Sequence, residues 1–192
     1  MKFILSIYIV MALAITGCTQ ISSYESSEPS APKAVDLMTF FSGSSRAWGM
    51  VTDYRGKVVR RFEVDLSGCM EGGRLVLDEH FVYDDGETQF RQWKIERTLD
   101  GRTYTGEAAD IVGSAEGVSS GFALQWRYTM DLPVDGSVYR VNFDDWMYQL
   151  DSQHLFNIAE IKKWGVTVAK VTLFFQKSAT ATADCSASDD NA

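Results

Sequence analysis

The stretch Val141-Asn142-Phe143-Asp144-Asp145-Trp146-Met147-Tyr148-Gln149-Leu150 decides how this chain folds. Side chains alternate across a β-strand, so Val141, Phe143 and Met147 share one face, with Tyr139 just upstream. Asp145 falls on that same apolar face. An ionised carboxylate among aromatic side chains requires a partner or a ligand. The expectation is that this face is the interior wall of a barrel, and that the rest of the chain closes it.

Working outward, residues 35–177 read as strand-and-turn units. Residues 36–41 form a short helical turn ahead of the first strand. Strands are expected over residues 45–53, 57–67, 74–83, 87–98, 102–108, 122–132, 138–150, 154–163 and 166–176. Turns such as Asp84-Asp85-Gly86 and Leu99-Asp100-Gly101 separate them. The second strand alternates Phe62, Val64 and Leu66 with Arg61, Glu63 and Asp65; another puts Phe122, Leu124, Trp126, Tyr128 and Met130 on one face. Consecutive hairpins favour an up-and-down meander. A meander of about eight to ten strands removes its edges by closing into a barrel. The fold class expected is therefore all-β, an antiparallel up-and-down β-barrel able to enclose one small ligand.

The polar residues on the inner faces are the candidate site. A three-residue loop at 84–86 pairs Tyr83 with Glu87, and the register then pairs Leu75 with Ile95, Leu77 with Trp93 and Glu79 with Arg91. A carboxylate and a guanidinium would thus meet on the inner wall. Such a pair either fixes the register or anchors the polar end of a ligand. Asp144 and Asp145 are adjacent on a strand and point to opposite sides, so only Asp145 faces inward, as a structural or a ligand-binding group. Trp48, Trp93, Trp126, Phe143 and Met147 supply the apolar walls. The small-residue run Ala109-Asp110-Ile111-Val112-Gly113, with Ala115 and Gly117, reads as a tightly packed or bulged strand, or as a pocket floor. Phosphate-loop patterns are missing, and the two histidines, His80 and His154, have no ligand spacing, so neither a cofactor nor a metal is expected. The GxSxG elbow of a serine nucleophile is missing as well. An enzyme acting on a lipid would have to use Asp145 or Glu79 as acid or base; a lipoprotein with a filled core is the third alternative.

The ends of the chain give an address. Lys2 precedes an apolar run, residues 3–15, which ends in Ile15-Thr16-Gly17-Cys18. This is the pattern of a bacterial lipoprotein signal, with 1–17 removed and Cys18 lipidated. Residues 18–34, rich in Ser, Glu and Pro, read as a disordered tether, and 178–192 as a disordered tail. Thr19 stands where an Asp would mark retention in the inner membrane, so the address expected is the outer membrane, with the domain facing the periplasm. Without Lys2 the 18 basic residues become 17 against 26 acidic, a balance of −9 that excludes nucleic acid as a partner. Attachment to the membrane must then come from the acyl chains. Cys69 and Cys185 remain; the periplasm permits a bridge between them, and two free thiols are the alternative.

Several motifs taken together resemble the DUF3833 lipoproteins of Gram-negative bacteria. They are Ala47-Trp48-Gly49, Leu77-Asp78-Glu79-His80-Phe81, Tyr83-Asp84-Asp85-Gly86-Glu87, Arg91-Gln92-Trp93, Gly106-Glu107-Ala108-Ala109-Asp110-Ile111-Val112-Gly113 and Phe143-Asp144-Asp145-Trp146-Met147-Tyr148. The resemblance implies a calycin-like or lipocalin-like barrel and points to a fatty-acid or other lipid-like ligand. It carries no catalytic residues with it.

Overall fold

Stretches that alternate apolar and polar residues between turns become ten strands. The computed structural model describes residues 21–25, 34–134, 136–178 and 183–185. The strands are β1 (Gly43–Asp53), β2 (Val58–Glu71), β3 (Arg74–Tyr83), β4 (Thr88–Arg97), β5 (Thr103–Glu107), β6 (Ile111–Ser120), β7 (Ala123–Val134), β8 (Ser137–Gln149), β9 (His154–Lys163) and β10 (Val166–Lys177). Each is antiparallel to the next, and β1 pairs with both β2 and β10. The sheet is therefore a closed ten-stranded up-and-down barrel, and closure leaves no long edge unpaired.

The register expected from the sequence is present. Gly86 N donates to Tyr83 O at 3.0 Å, and Tyr83 N donates to Glu87 O at 2.9 Å. Gly86 takes a φ of 86°, which suits glycine because it has no Cβ. Leu75 then pairs with Ile95, Leu77 with Trp93 and Glu79 with Arg91. The small-residue run is a bulged strand, with the β6–β7 register shifting between Val112 and Glu116.

Helix α1 (Leu37–Phe41) covers the end of the barrel where β1 begins. The Asp36 carboxylate starts it by accepting from the backbone N–H of Met38 at 3.0 Å and of Thr39 at 3.3 Å. Leu37, Met38, Phe40 and Phe41 are all buried. The Phe41 carbonyl lies so close to Gly68 that a Cβ there would stand 1.9 Å from its oxygen. Lys177, at the end of β10, donates to the carbonyls of Thr39, Phe40 and Ser42 at 2.6, 2.7 and 2.7 Å, satisfying oxygens that a helix end leaves bare.

Both terminal segments, expected to lack structure, are held in part against this closed end. Ile21–Tyr24 forms a 3-10 turn. Tyr24 packs on Phe122, Trp146 and Tyr148 at ring distances of 5.3, 5.8 and 5.8 Å. Phe122 therefore serves this contact rather than the inner face assigned to it. At the other terminus Ala183–Asp184 forms β11, parallel to Cys69 and Met70 of β2, and Cys185 is disulfide-bonded to Cys69. Residues 1–17, Cys18, and the rest of the tether and tail lie outside the described residues.

Candidate functional site

Beyond α1 the barrel is hollow. A cavity of about 1070 Å³ runs from Leu37 and Phe41, which form its floor, to a mouth among the β1–β2, β3–β4 and β7–β8 turns. Its walls exist because alternate residues of every strand point inward. Trp93, Trp126, Phe143 and Met147 line it, as the sequence predicts. Trp126 sits where Gly106 and Gly117 leave room: a Cβ on either would fall 2.6 or 2.4 Å from the indole. Trp93 meets Trp126 and Tyr128 edge-on at 5.7 and 5.4 Å, and Tyr128 stacks on Phe143 at 4.7 Å. The aromatic wall is thus a connected group.

Trp48 is the exception among the expected wall residues. On β1 the odd-numbered Ala47 is fully buried, so even-numbered Trp48 points outward, 39% exposed, with the Arg46 guanidinium 5.7 Å from its ring. The motif that contains it does not supply a wall to the cavity.

The polar residues gather at mid-depth. Glu79, Arg91, Asp110 and Asp145 all line the cavity. Glu79 and Arg91 are cross-strand neighbours as expected, but they are not the ion pair. The Arg91 guanidinium turns to Asp110, with Nε donating to Oδ2 at 2.8 Å and Nη2 lying 2.7 Å from the same oxygen. Asp110 reaches it from the loop between β5 and β6. Burial opposes the charge of Arg91, yet Tyr128, Glu79 and Asp110 outweigh burial and its pKa is raised. Glu79 makes no ion pair with a described residue; burial inside the barrel pushes its pKa up to about 7, against the pull of Arg91.

Asp145 is 8% exposed, and its Oδ1 has no hydrogen-bond partner. Burial pushes its pKa up to about 8, with Arg91 lowering it and Asp144 and Glu79 raising it. Asp144 lies on the other side of the strand, as expected. It accepts from Gln125 Nε2 at 2.6 Å and from Lys162 Nζ at 2.7 Å. Near neutral pH the interior therefore holds one matched ion pair and two carboxyl groups poised between protonated and ionised.

Three further wall groups escape a reading of the sequence. Asp110 sits in a run of small residues with no periodicity to aim it. Tyr128 reads as one more aromatic of an apolar face, though its hydroxyl stands in the field of Asp145 and Arg91. Asn157 is 2% exposed, and its Nδ2 is unpartnered. A polar residue in the alternating strand β9 was the available signal for it. Among the described residues no group of three His, Cys, Asp or Glu side chains stands close enough to hold a metal ion.

The mouth carries a separate polar group. Arg60 lies with its guanidinium carbon 3.5 Å from the Tyr83 ring centre and pairs with Asp85 at 3.2 Å and with Glu87.

These features define a class: a closed, calycin-like or lipocalin-like β-barrel with a large internal cavity and a few inward polar groups. The chain belongs to the family described as protein of unknown function (DUF3833), whose model matches residues 12–177. No curated protein matches it in sequence. Among solved structures it is similar to the S-type phycobiliprotein lyase CPES from Guillardia theta, with a TM-score of 0.52 and 7% identity, over 76% of this chain and 92% of that one. At that identity the likeness is one of fold.

Proposed function

We propose that this protein is an envelope lipoprotein whose barrel binds a hydrophobic or amphipathic molecule in the periplasm. The observation that carries the reading is the cavity itself. Its volume of about 1070 Å³ is at the upper end of small-molecule sites, and its lining joins a largely aromatic wall to charged groups at mid-depth and at the mouth. Asp145, buried with an unmatched oxygen, is hard to place in a filled core and easy to place against a ligand or water.

The anchor rests on the lipobox-like Ile15-Thr16-Gly17-Cys18, and Thr19 favours the outer membrane. An anchor at Cys18 would also orient the barrel. Three peptide links separate Cys18 from Ile21, a reach of no more than roughly 11 Å. Ile21–Tyr24 is bound to the closed end, so that end would lie against the anchoring membrane and the mouth would open away from it.

Native mass spectrometry of the full chain, purified in mild detergent, tests the binding reading. The expected result is a non-covalent apolar adduct. Absence of any adduct, together with no thermal shift from added alkyl amphiphiles, would overturn it. For the anchor, labelled palmitate should enter the wild type and not Cys18→Ser; label entering both removes that half of the proposal.

A further inference from the structure

We infer that the molecule held in this barrel carries a cationic head, an alkylammonium or related organic cation, which seats against Asp145 and Glu79. This rests on the reading that the barrel binds an amphiphile, and names the chemistry of its polar end.

The charge of the cavity points one way. Its lining contains six carboxylates, Glu79, Asp85, Glu87, Asp110, Asp131 and Asp145, against two guanidiniums, Arg60 and Arg91; Arg140 neutralises Asp131 from outside, which leaves five to two. Both guanidiniums are taken. Arg60 is held at the mouth by Asp85 and Glu87, and Arg91 is held at mid-depth by Asp110 through two of its nitrogens. A fatty-acid carboxylate would have to share Arg91 with Asp110 and lie beside Glu79 and Asp145, with no second cation to balance it. In a low-dielectric interior that excess of negative charge is costly. A cation meets the reverse situation: Glu79 forms no ion pair, and Asp145 has an unpartnered, buried oxygen.

The surroundings suit a cation as well. Trp126 is the cross-strand neighbour of Asp145, and Trp93 is two residues along β4 from Arg91, the cross-strand neighbour of Glu79. Indole faces attract a desolvated ammonium. Asn157 completes the wall with an amide that can present oxygen or nitrogen. The geometry also favours an organic cation over a metal. Among the described residues no three ligand-type side chains come within metal-binding reach.

Binding a cation here must be coupled to protons. The groups that set the state of Asp145 are Arg91, Asp144 and Glu79, and Glu79 in turn feels Arg91 and Asp110. With Glu79 titrating at about 7 and Asp145 at about 8, a cation binds best once both are ionised, so its affinity rises with pH. An anion would show the opposite slope. A primary alkylammonium, which loses its proton near the pKa of a lysine at about 10.4, stays charged throughout that window.

The test uses three probes on the full chain, read by quenching of tryptophan fluorescence: dodecylammonium, dodecanol and dodecanoate. The expected result is that dodecylammonium binds at least about tenfold more tightly than the other two at about pH 8, and that its affinity falls at least about tenfold by about pH 5.5. Asp145→Asn and Glu79→Gln should each weaken dodecylammonium by a larger factor than dodecanol and flatten its pH dependence. Cooperative thermal unfolding shows that the variants are folded, and the wild-type pH series needs no variant. If dodecanoate or dodecanol binds as tightly as the amine, or the amine affinity does not rise with pH, the cation assignment is overturned while a ligand-binding barrel stands. If none of the three binds, both readings fall together.

Discussion

The two ends of this barrel are made from the same strands and differ in almost everything else. At the closed end Leu37, Leu75, Tyr104, Leu124 and Leu155 have lost nearly all contact with solvent. At the open end Phe81 and Leu132, and further down the wall Val171, carry equally apolar side chains but remain only partly buried, because they face the cavity. Alternation along a strand is the same at both ends, so strand pattern does not distinguish solid from hollow. What makes the difference is the cover: α1, the Lys177 ammonium and the disulfide-tied tail occupy one end, while the β1–β2, β3–β4 and β7–β8 turns leave the other open. Stability is concentrated where the cover is, and ligand chemistry where it is not.

The largest effect should come from breaking the cover. Phe41 is 4% exposed, meets Phe175 edge-on at 5.4 Å and seals the floor of the cavity. Phe41→Ala should cost about 3–5 kcal/mol, the range for a buried Phe whose loss leaves a void. Phe81→Ala, on the cavity wall, should cost roughly 1–2 kcal/mol, because part of its surface already faces open space. Urea unfolding of both variants measures the contrast, and equal losses would erase the distinction between the ends.

The disulfide is the next largest. It joins residues 116 positions apart, so it constrains nearly the whole barrel in the unfolded state. Cys185→Ala should lower stability by about 2–4 kcal/mol. The loss should appear in the unfolding midpoint of the oxidised wild type against the variant, and vanish when both are measured under reductant.

Protons supply the third contrast. Glu79 and Asp145 have pKa values near 7 and 8 in the folded chain, against about 4 for ordinary carboxyls. Between those values the native state holds protons that the unfolded state has released. Their contribution is therefore complete below about pH 4 and is lost as pH rises through 7 and 8. Among the described residues the closed end has no such pair. Asp100, on the turn beside it, is held low by hydrogen bonds from the Thr98 hydroxyl and from the backbone of Thr103 and Arg102, so its effect has the opposite sign and is spent in acid. Wild type should lose stability steadily between about pH 5 and pH 9, and Asp145→Asn clearly less, since an amide does not ionise. Parallel pH curves for the two proteins would mean that Asp145 titrates like a solvated carboxyl.

Much of this was legible in the chain. Period-two alternation and the turn at Asp84-Asp85-Gly86 located the strands and the β3–β4 register to the residue. The parity rule separated Asp144 from Asp145 correctly. What stayed hidden depends on contacts between distant segments. Trp48 lies on a strand whose other parity holds only small residues near it, Ala47 and Gly49, so its bulk suggests an inward face; Arg46 and Thr52, which share its parity, are the signal for the outward one. Arg91 was assigned the carboxylate opposite it, because strand register is readable and the path of a loop is not; Asp110 arrives from such a loop. Tyr24 belongs to a polar segment whose composition signals disorder and is held by a contact far away in sequence, whereas the Cys69–Cys185 bridge is one of the two alternatives the sequence leaves open, and it is the one formed.

The smallest effect on stability should lie at the mouth, and there the comparison turns from energy to access. Arg60 reaches from β2 to the β3–β4 turn, where it covers the Tyr83 ring and meets Asp85 and Glu87. Its partners are more than half exposed, so water already screens them and the ion pairs contribute little. Arg60→Ala should cost less than about 1 kcal/mol, well under the loss at Phe41. The same substitution removes the side chain that bridges the rim and leaves two carboxylates bare beside the opening. A cationic amphiphile should then enter faster, drawn by the uncompensated charge, and leave faster, because the rim is wider. Its equilibrium affinity should change little, since Asp145 and Glu79 are untouched. Stopped-flow tryptophan quenching with dodecylammonium separates the two rates. A large change in affinity with unchanged rates would place Arg60 inside the binding site and not at its entrance, and would move the functional boundary of the barrel outward from mid-depth to the rim.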